Sequence, residues 1–277
     1  MKITASVVLY NTPYAQFKEL LFSVIHSETV TKFYVIDNSP KKNPELYEKW
    51  DIVEYIPHEN TGYGSSHNIA MRKAIEECST YHIVLNPDIS FGLDVLDKLS
   101  TYMEKHNEIV YIMPKIVYPN GDLQYLCKKL PSPSDLIFRR FIPSFGFLKK
   151  LKQKKDDEYT LRRYFNYEKI INPPCLSGCF MFMRVDALKK NNIFFDEKYF
   201  MYFEDFDIIR QLHKIGKTVY FPEVSAIHDH AKISYKNFKM MFIHIKSAFR
   251  YFNKYGWFFD IERKKMNNCI LNELKNL

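Results

Sequence analysis

A chain of 277 residues, 46% of them hydrophobic, can bury the core of one α/β domain with an appended terminal segment. No run of ~18 uncharged apolar residues is present, which excludes a spanning helix, and Met1-Lys2 leads straight into an alternating pattern instead of a cleavable leader. The net charge of +8 is concentrated in residues 128–155 (nine Lys and Arg against one Asp) and 232–277 (ten against three acids), so the remaining body is acidic and an anionic surface, nucleic acid or membrane, is the implied partner.

In chain order, Ile3–Tyr10 reads as a buried strand, and Pro13 opens an amphipathic helix to about His26 with Phe17, Leu20, Leu21 and Val24 on one face. Lys32–Asp37 and Ile52–Ile56 read as strands, Gly64–Cys78 as a helix and Tyr81–Leu85 as a strand. Leu93–Lys105 follows as a helix and Ile109–Val117 as a strand. Strands separated by helices of this length imply a mostly parallel sheet, whose ligands bind beyond the carboxyl ends of its strands. The polar clusters lie there: Tyr10-Asn11, Asp37-Asn38-Ser39 and Asn86-Pro87-Asp88 each follow a strand.

Between Lys128 and about Asn172 the patterning weakens around Pro131, Pro133 and Pro143, which reads as a basic mobile insertion. A second block follows, with Leu176–Arg184 as a strand, Glu204–Ile215 as a helix ended by Gly216, and Thr218–Phe221 as a strand. In the tail, Phe238, Met241, Phe242, Ile245, Phe249 and Phe252 fall on one side of a helix and Lys239, Lys246, Arg250 and Asn253 on the other. The apolar face either packs on the domain or docks on anionic lipid. The division expected is a catalytic domain over 1–234 and a basic amphipathic tail over 235–277.

Four clusters carry chemistry. Asn86-Pro87-Asp88 puts a carboxylate on a tight turn after a hydrophobic strand, which suits a divalent cation bridging a diphosphate and equally suits a plain turn. Glu204-Asp205-Phe206-Asp207 gathers three carboxylates at a helix start after an aromatic run. The helix dipole accounts for Glu204, and apolar surroundings would give a neighbour the raised pKa of a general base. In Ile227-His228-Asp229-His230 the two imidazoles point opposite ways if the backbone is extended, so one of them is the ligand candidate. Glu59–Asn68, a glycine turn feeding a helix, is similar to a phosphate- or sugar-binding loop. The five cysteines form no Cys-x-x-Cys pair and are odd in number, which points to free thiols in a reducing compartment.

Taken in order, Asp37, the Gly62/Asn68 loop, Asn86-Pro87-Asp88, Leu176-Ser177-Gly178-Cys179-Phe180-Met181, Phe195-Asp196-Glu197, Phe200-Met201-Tyr202, Glu204-Asp205 and His228 resemble the inverting family-2 glycosyltransferases, in the bacterial rhamnosyltransferase-like branch that builds O-antigen and related surface polysaccharides. The resemblance covers about residues 3–234. It implies a GT-A fold, a Rossmann-like mixed and mostly parallel sheet flanked by helices, followed here by the amphipathic helical segment.

It also implies roles. Tyr10 and Asn11 would line the nucleotide site, Asp37 would bond the pyrimidine, and Asn60, Gly62, Asn68, Asn86 and Gly178 would border nucleotide and sugar. Asp88 would hold Mg²⁺ or Mn²⁺ with His228 or His230. Asp205 would be the base and Glu204 would orient it or the acceptor. The expected partners are a dTDP- or UDP-sugar, a lipid-linked glycan acceptor and an anionic membrane, at the cytoplasmic face, and no nucleic acid. A sugar-1-phosphate nucleotidylyltransferase should open with a glycine-rich, basic loop after the first strand, where Tyr10-Asn11-Thr12-Pro13 stands instead. A non-enzymatic nucleic-acid or membrane-binding protein would explain the basic segments but not carboxylates at successive strand ends.

Overall fold

A computed structural model describes residues 1–47, 49–141, 146–229 and 238–276, with the backbone alone at 138–141 and 147. Its centre is β1 (Ile3–Leu9), almost wholly buried, with Ile3, Ala5, Val7 and Leu9 on one face and, on the other, Thr4 and Ser6 hydrogen-bonded to His82 and His67. β1 pairs in parallel with β2 (Val30–Asp37) on one side and β4 (Tyr81–Leu85) on the other, and β2 pairs in parallel with β3 (Val53–Pro57). The crossovers are α1 (Tyr14–Ile25), which buries Phe17, Leu20, Leu21 and Val24 as its spacing predicts, and α2 (Tyr63–Glu76).

Beyond β4 the direction changes. The strand order is β3-β2-β1-β4-β7-β6-β8-β5, with β5 (Ile89–Phe91) at the far edge, then β8 (Lys217–His228), β6 (Ile109–Val117) and β7 (Phe180–Arg184). β7 is antiparallel to both β4 and β6, β8 is parallel to β6, and β5 is antiparallel to β8. α3 (Val95–Lys105) covers β6 and β8 on one face.

Three elements depart from the sequence expectation. β8 runs on to His228, because an irregularity absorbs Pro222, Glu223 and Val224: Phe221 pairs with Pro114, and the ladder resumes with Ser225 opposite Lys115. The insertion holds two helices, α4 (Pro133–Phe141) and α5 (Gly146–Tyr159). Ser132 and Asp135 form a reciprocal cap at the start of α4. Asp135 Oδ2 accepts from Ser132 N at 2.8 Å, and Asp135 N donates to Ser132 Oγ at 3.2 Å. The tail is two helices, α8 (Phe238–Tyr255) and α9 (Ile261–Lys275).

Between α6 (Val185–Asn191) and β8 lies α7 (Glu204–Leu212), and the tail docks on it through charge. Arg210 of α7 is buried and bonds both oxygens of Asp260 at 2.7 and 2.9 Å, and it also reaches Glu262 and Tyr251. Lys254 of α8 bridges Asp207 at 2.6 Å and Asp196 at 3.0 Å. The third carboxylate of the acidic cluster, Asp207, is thus a docking group for the tail.

Candidate active site

The carboxyl ends of β1, β2 and β4 stand side by side, because parallel strands in register finish together. Tyr10 and Asn11 project there, both exposed, and the Asn11 N–H donates to Ser39 Oγ at 2.8 Å. Ser39 N in turn donates to Asp37 Oδ1 at 2.9 Å, while Tyr55 Oη donates to Asp37 Oδ2 at 2.5 Å. Asp37 is buried and pre-oriented, and a ligand meets only its remaining lone pairs. Asn60 is exposed on the approach to the glycine turn.

That turn can only be glycine. Gly62 has φ +115°, and a Cβ there would lie 2.4 Å from the carbonyl oxygen of Phe200. The closeness locks the turn to the 195–203 loop, where Tyr63 N donates to Phe200 O at 2.9 Å. Asn68 does not face the cleft. It is fully buried, its amide accepts from Phe195 N at 2.9 Å and donates to Phe195 O at 2.9 Å, so it fixes the loop and does not border a ligand directly.

Asp88 and His228 meet just beyond the carboxyl end of β4. Asp88 Oδ1 is 3.3 Å from His228 Nε2, and Asn86 Nδ2 is 3.4 Å from the same nitrogen. His228 Nδ1 bonds Gln124 Oε1 at 2.9 Å. With the ring proton on Nδ1, Nε2 presents a lone pair to a carboxylate oxygen, an opposition that a cation between them relieves. Adjacent ligands of an octahedral Mg²⁺ or Mn²⁺, each at about 2.1 Å, stand about 3 Å apart, so this oxygen and nitrogen fit such an ion. Among the described residues no third His, Cys, Asp or Glu joins them. His230 lies outside the described residues.

Tyr63 ties this end to the carboxylate pair. Its hydroxyl is shared between Asn86 Oδ1 at 3.0 Å and the carbonyl of Gly178 at 2.9 Å. Gly178 in turn abuts the side chain of Asp205, where an added Cβ would meet Asp205 Cβ at 3.3 Å, and its N–H is directed at the Asp205 carboxylate.

The pair itself opens α7 after a strained turn. Tyr202 and Phe203 both have φ +68°, a left-handed conformation that costs bulky residues energy and persists only under tight packing. α8 supplies the packing: Phe203 lies against Tyr251 and Phe252, Tyr202 against His244, and Ser247 Oγ donates to Met201 O at 2.8 Å. Glu204 is buried and its Oε2 has no hydrogen-bond partner among the described residues. Burial, then the neighbouring Asp205, pushes its carboxyl up to about 8. Asp205 is partly buried; burial raises it too, and the Lys128 ammonium and backbone N–H groups offset that rise only in part. Both carboxyls of the pair are thus held above the ordinary carboxylate range, Glu204 up to about 8.

Sequence reasoning missed Tyr63, Gln124 and Lys128. Lys128 is placed by a two-residue bridge with Cys175, its N–H donating to Cys175 O at 2.8 Å, and nothing local in the sequence announces that pairing.

The family description "Glycosyl transferase family 2" matches residues 4–192, a span that ends before the carboxylate pair and His228. "Rhamnosyltransferase WbbL" of Escherichia coli (strain K12) is 28% identical over 250 residues, 84% of this chain and 86% of that protein. Among solved structures, S. aureus TarS 1–349 in complex with UDP-GlcNAc is similar with a TM-score of 0.58 at 17% identity, over 100% of this chain and 72% of that one. GalNAc-T7 with UDP, GalNAc and Mn²⁺ gives a TM-score of 0.57 at 15% identity, over 82% of this chain and 43% of that one.

Proposed function

The chain belongs to glycosyl transferase family 2 and has the GT-A fold, and we propose that it transfers one sugar, with inversion, from a nucleoside diphosphate to a glycan hydroxyl. The observation that carries this reading is the Tyr63 link. It joins the Asn86–Asp88 turn to Gly178, which abuts the Asp205 side chain, across a single side chain. An inverting displacement needs those two elements on opposite sides of the anomeric carbon, a base toward the acceptor and charge stabilisation toward the leaving group.

Asp205, partly exposed, acts as the carboxylate base and takes the acceptor hydroxyl proton while that oxygen bonds to the anomeric carbon. The glycosidic C–O bond to the diphosphate breaks in the same step, and its electron pair leaves on the phosphate oxygen. Glu204, still protonated, adds no second negative charge beside the developing carboxylic acid. Asp88 and His228 would hold a divalent cation, which when bound offsets the charge growing on the diphosphate. Tyr10, Asn11 and Asp37 receive the nucleotide at the ends of β1 and β2.

The likeness to a rhamnosyltransferase favours L-rhamnose from dTDP-rhamnose as donor. UDP-sugars are the second reading, since the TarS and GalNAc-T7 structures of the same fold hold UDP-GlcNAc and UDP. The acceptor we propose is a lipid-diphosphate-linked glycan in surface-polysaccharide synthesis, met at the cytoplasmic face of an anionic membrane. Exposed Phe238, Phe242 and Phe249 beside Lys239 and Lys246 support that surface. No helix among the described residues is long and apolar enough to cross a membrane.

A melting-temperature panel of dTDP-, UDP- and GDP-sugars with Mn²⁺ tests the donor, because a ligand of the native state raises the midpoint by mass action. A rise with dTDP-rhamnose alone supports the first reading, a rise with UDP-sugars alone the second, and no rise with any of them overturns both.

A further inference from the structure

We propose that Gln124 is a positioning residue for the cation site, fixing His228 as the Nδ1–H tautomer so that Nε2 faces Asp88. The proposal rests on the assignment of Asp88 and His228 as metal-holding residues. It starts from a turn: Asn120-Gly121 reverses the chain directly after β6, with Gly121 at φ +86° and Tyr118 N donating to Asp122 O at 2.8 Å. The returning segment pairs antiparallel with the end of β6, where Val117 bridges Leu123 and Gln124 N donates to Ile116 O at 2.9 Å. Gln124 is thereby buried beside the last residue of β8.

Its amide can face only one way. One terminal atom is 2.7 Å from the carbonyl oxygen of His228, which can only accept, so that atom is the NH₂. The other is therefore the oxygen, and it lies 2.9 Å from His228 Nδ1, which must carry the proton to donate. One residue thus holds both the backbone and the ring of His228. Such outer partners set ligand orientation, and their loss costs about 10- to 100-fold in metal affinity.

The test uses the full chain and Mn²⁺ as the probe. Free Mn²⁺ is followed by electron paramagnetic resonance, and the imidazole tautomer by nitrogen-15 NMR of metal-free protein, with the His228→Gln variant assigning the signal. Expected are a His228 ring protonated on Nδ1, Mn²⁺ binding weakened about 10- to 100-fold in Gln124→Leu, and binding within a few-fold of wild type in Gln124→Glu, which keeps the acceptor oxygen. Melting temperature reports whether the Leu variant is folded; if it is not, the wild-type tautomer decides alone. A ring protonated on Nε2, or a folded Leu variant that binds Mn²⁺ as wild type does, overturns the proposal. Wild type that binds no Mn²⁺ while keeping Nδ1–H removes the metal assignment beneath it, a result distinct from failure of the tautomer.

Discussion

The hydroxyl of Tyr63 stands 3.0 Å from Oδ1 of Asn86, and through it the glycine turn, the strand end that carries Asp88 and the loop beneath Asp205 are held in one frame. The hydroxyl is buried among Glu204, Asp205 and Asp88, which holds it well above the ordinary phenol range and keeps it a donor at every working pH. Tyr63→Phe removes that one donor and leaves the ring's packing on His67 and Phe195 in place. A net hydrogen bond contributes about 0.5–1.5 kcal/mol, so kcat/KM is expected to fall about three- to tenfold with little change in melting temperature. Unchanged kcat/KM in a folded variant would show that the link is not used in turnover.

The unequal carboxylates predict a pH signature. Glu204 holds its proton up to about 8 in the folded chain against an ordinary value of 4.5. The folded state therefore binds that proton more tightly than the unfolded one, and the stability so gained is complete below about 4.5 and lost as pH rises through about 8. The melting temperature should fall across that window in wild type and fall less in Glu204→Gln. Turnover should likewise show a basic limb near 8 that Glu204→Gln removes. Asp205→Asn should keep the fold and donor binding yet lose about two to four powers of ten in kcat, the range for a general base. If Asp205→Asn turns over normally and Glu204→Gln does not, the roles are exchanged.

Gly62 makes a backbone prediction. Alanine there meets Phe200 O and must also adopt φ +115°, so neither the turn nor the loop can stay in place. Loss of about 2 kcal/mol or more of stability is expected, with activity falling together with it. Chemical denaturation of Gly62→Ala reads this directly, and a wild-type midpoint would mean that the loop relaxes freely.

What the sequence made legible was local. Asn86-Pro87-Asp88 and Glu204-Asp205 could be read because turn formers after a strand and acids at a helix start are short-range chemistry, and the parallel strand ends then bring the clusters together. The Tyr63–Gly178 and Gln124–His228 bonds span 115 and 104 residues, and no periodicity encodes them. Ser132-Pro133-Ser134-Asp135 did carry a helix-start signature, hidden by the neighbouring prolines. The tail was ambiguous for another reason. A helix with apolar residues on two adjoining stripes does not state which stripe is covered until distant partners, here Arg210 for Tyr251 and Asp207 for Lys254 and Tyr255, fix its rotation.

That rotation leads to the prediction most open to refutation. Of the apolar residues expected to meet lipid, Phe252 is 2% exposed and packs on Phe203, so it belongs to the interior, and Ile245 is half-buried. Phe238, Phe242 and Phe249 are 78%, 66% and 55% exposed, and Phe249 continues through Trp257 toward exposed Phe258, Phe259 and Ile261. Lys239, Lys246 and Arg250 of the same helix accompany this aromatic row. Each basic residue near an anionic leaflet contributes on the order of 1 kcal/mol, screened by salt, while the aromatic row adds anchoring that salt does not weaken. Wild type should therefore co-sediment with vesicles rich in anionic lipid and less with neutral ones. Lys239/Lys246/Arg250→Glu should lose the anionic preference, and Phe242/Phe249→Ser should lose the salt-resistant part with its melting temperature intact. Phe252→Ser should instead lower the melting temperature, because it opens the cluster that braces the strained turn ahead of Glu204. Equal sedimentation of wild type and the charge-reversed variant on anionic vesicles, or none for wild type, would sink the membrane reading and leave the transferase chemistry untouched.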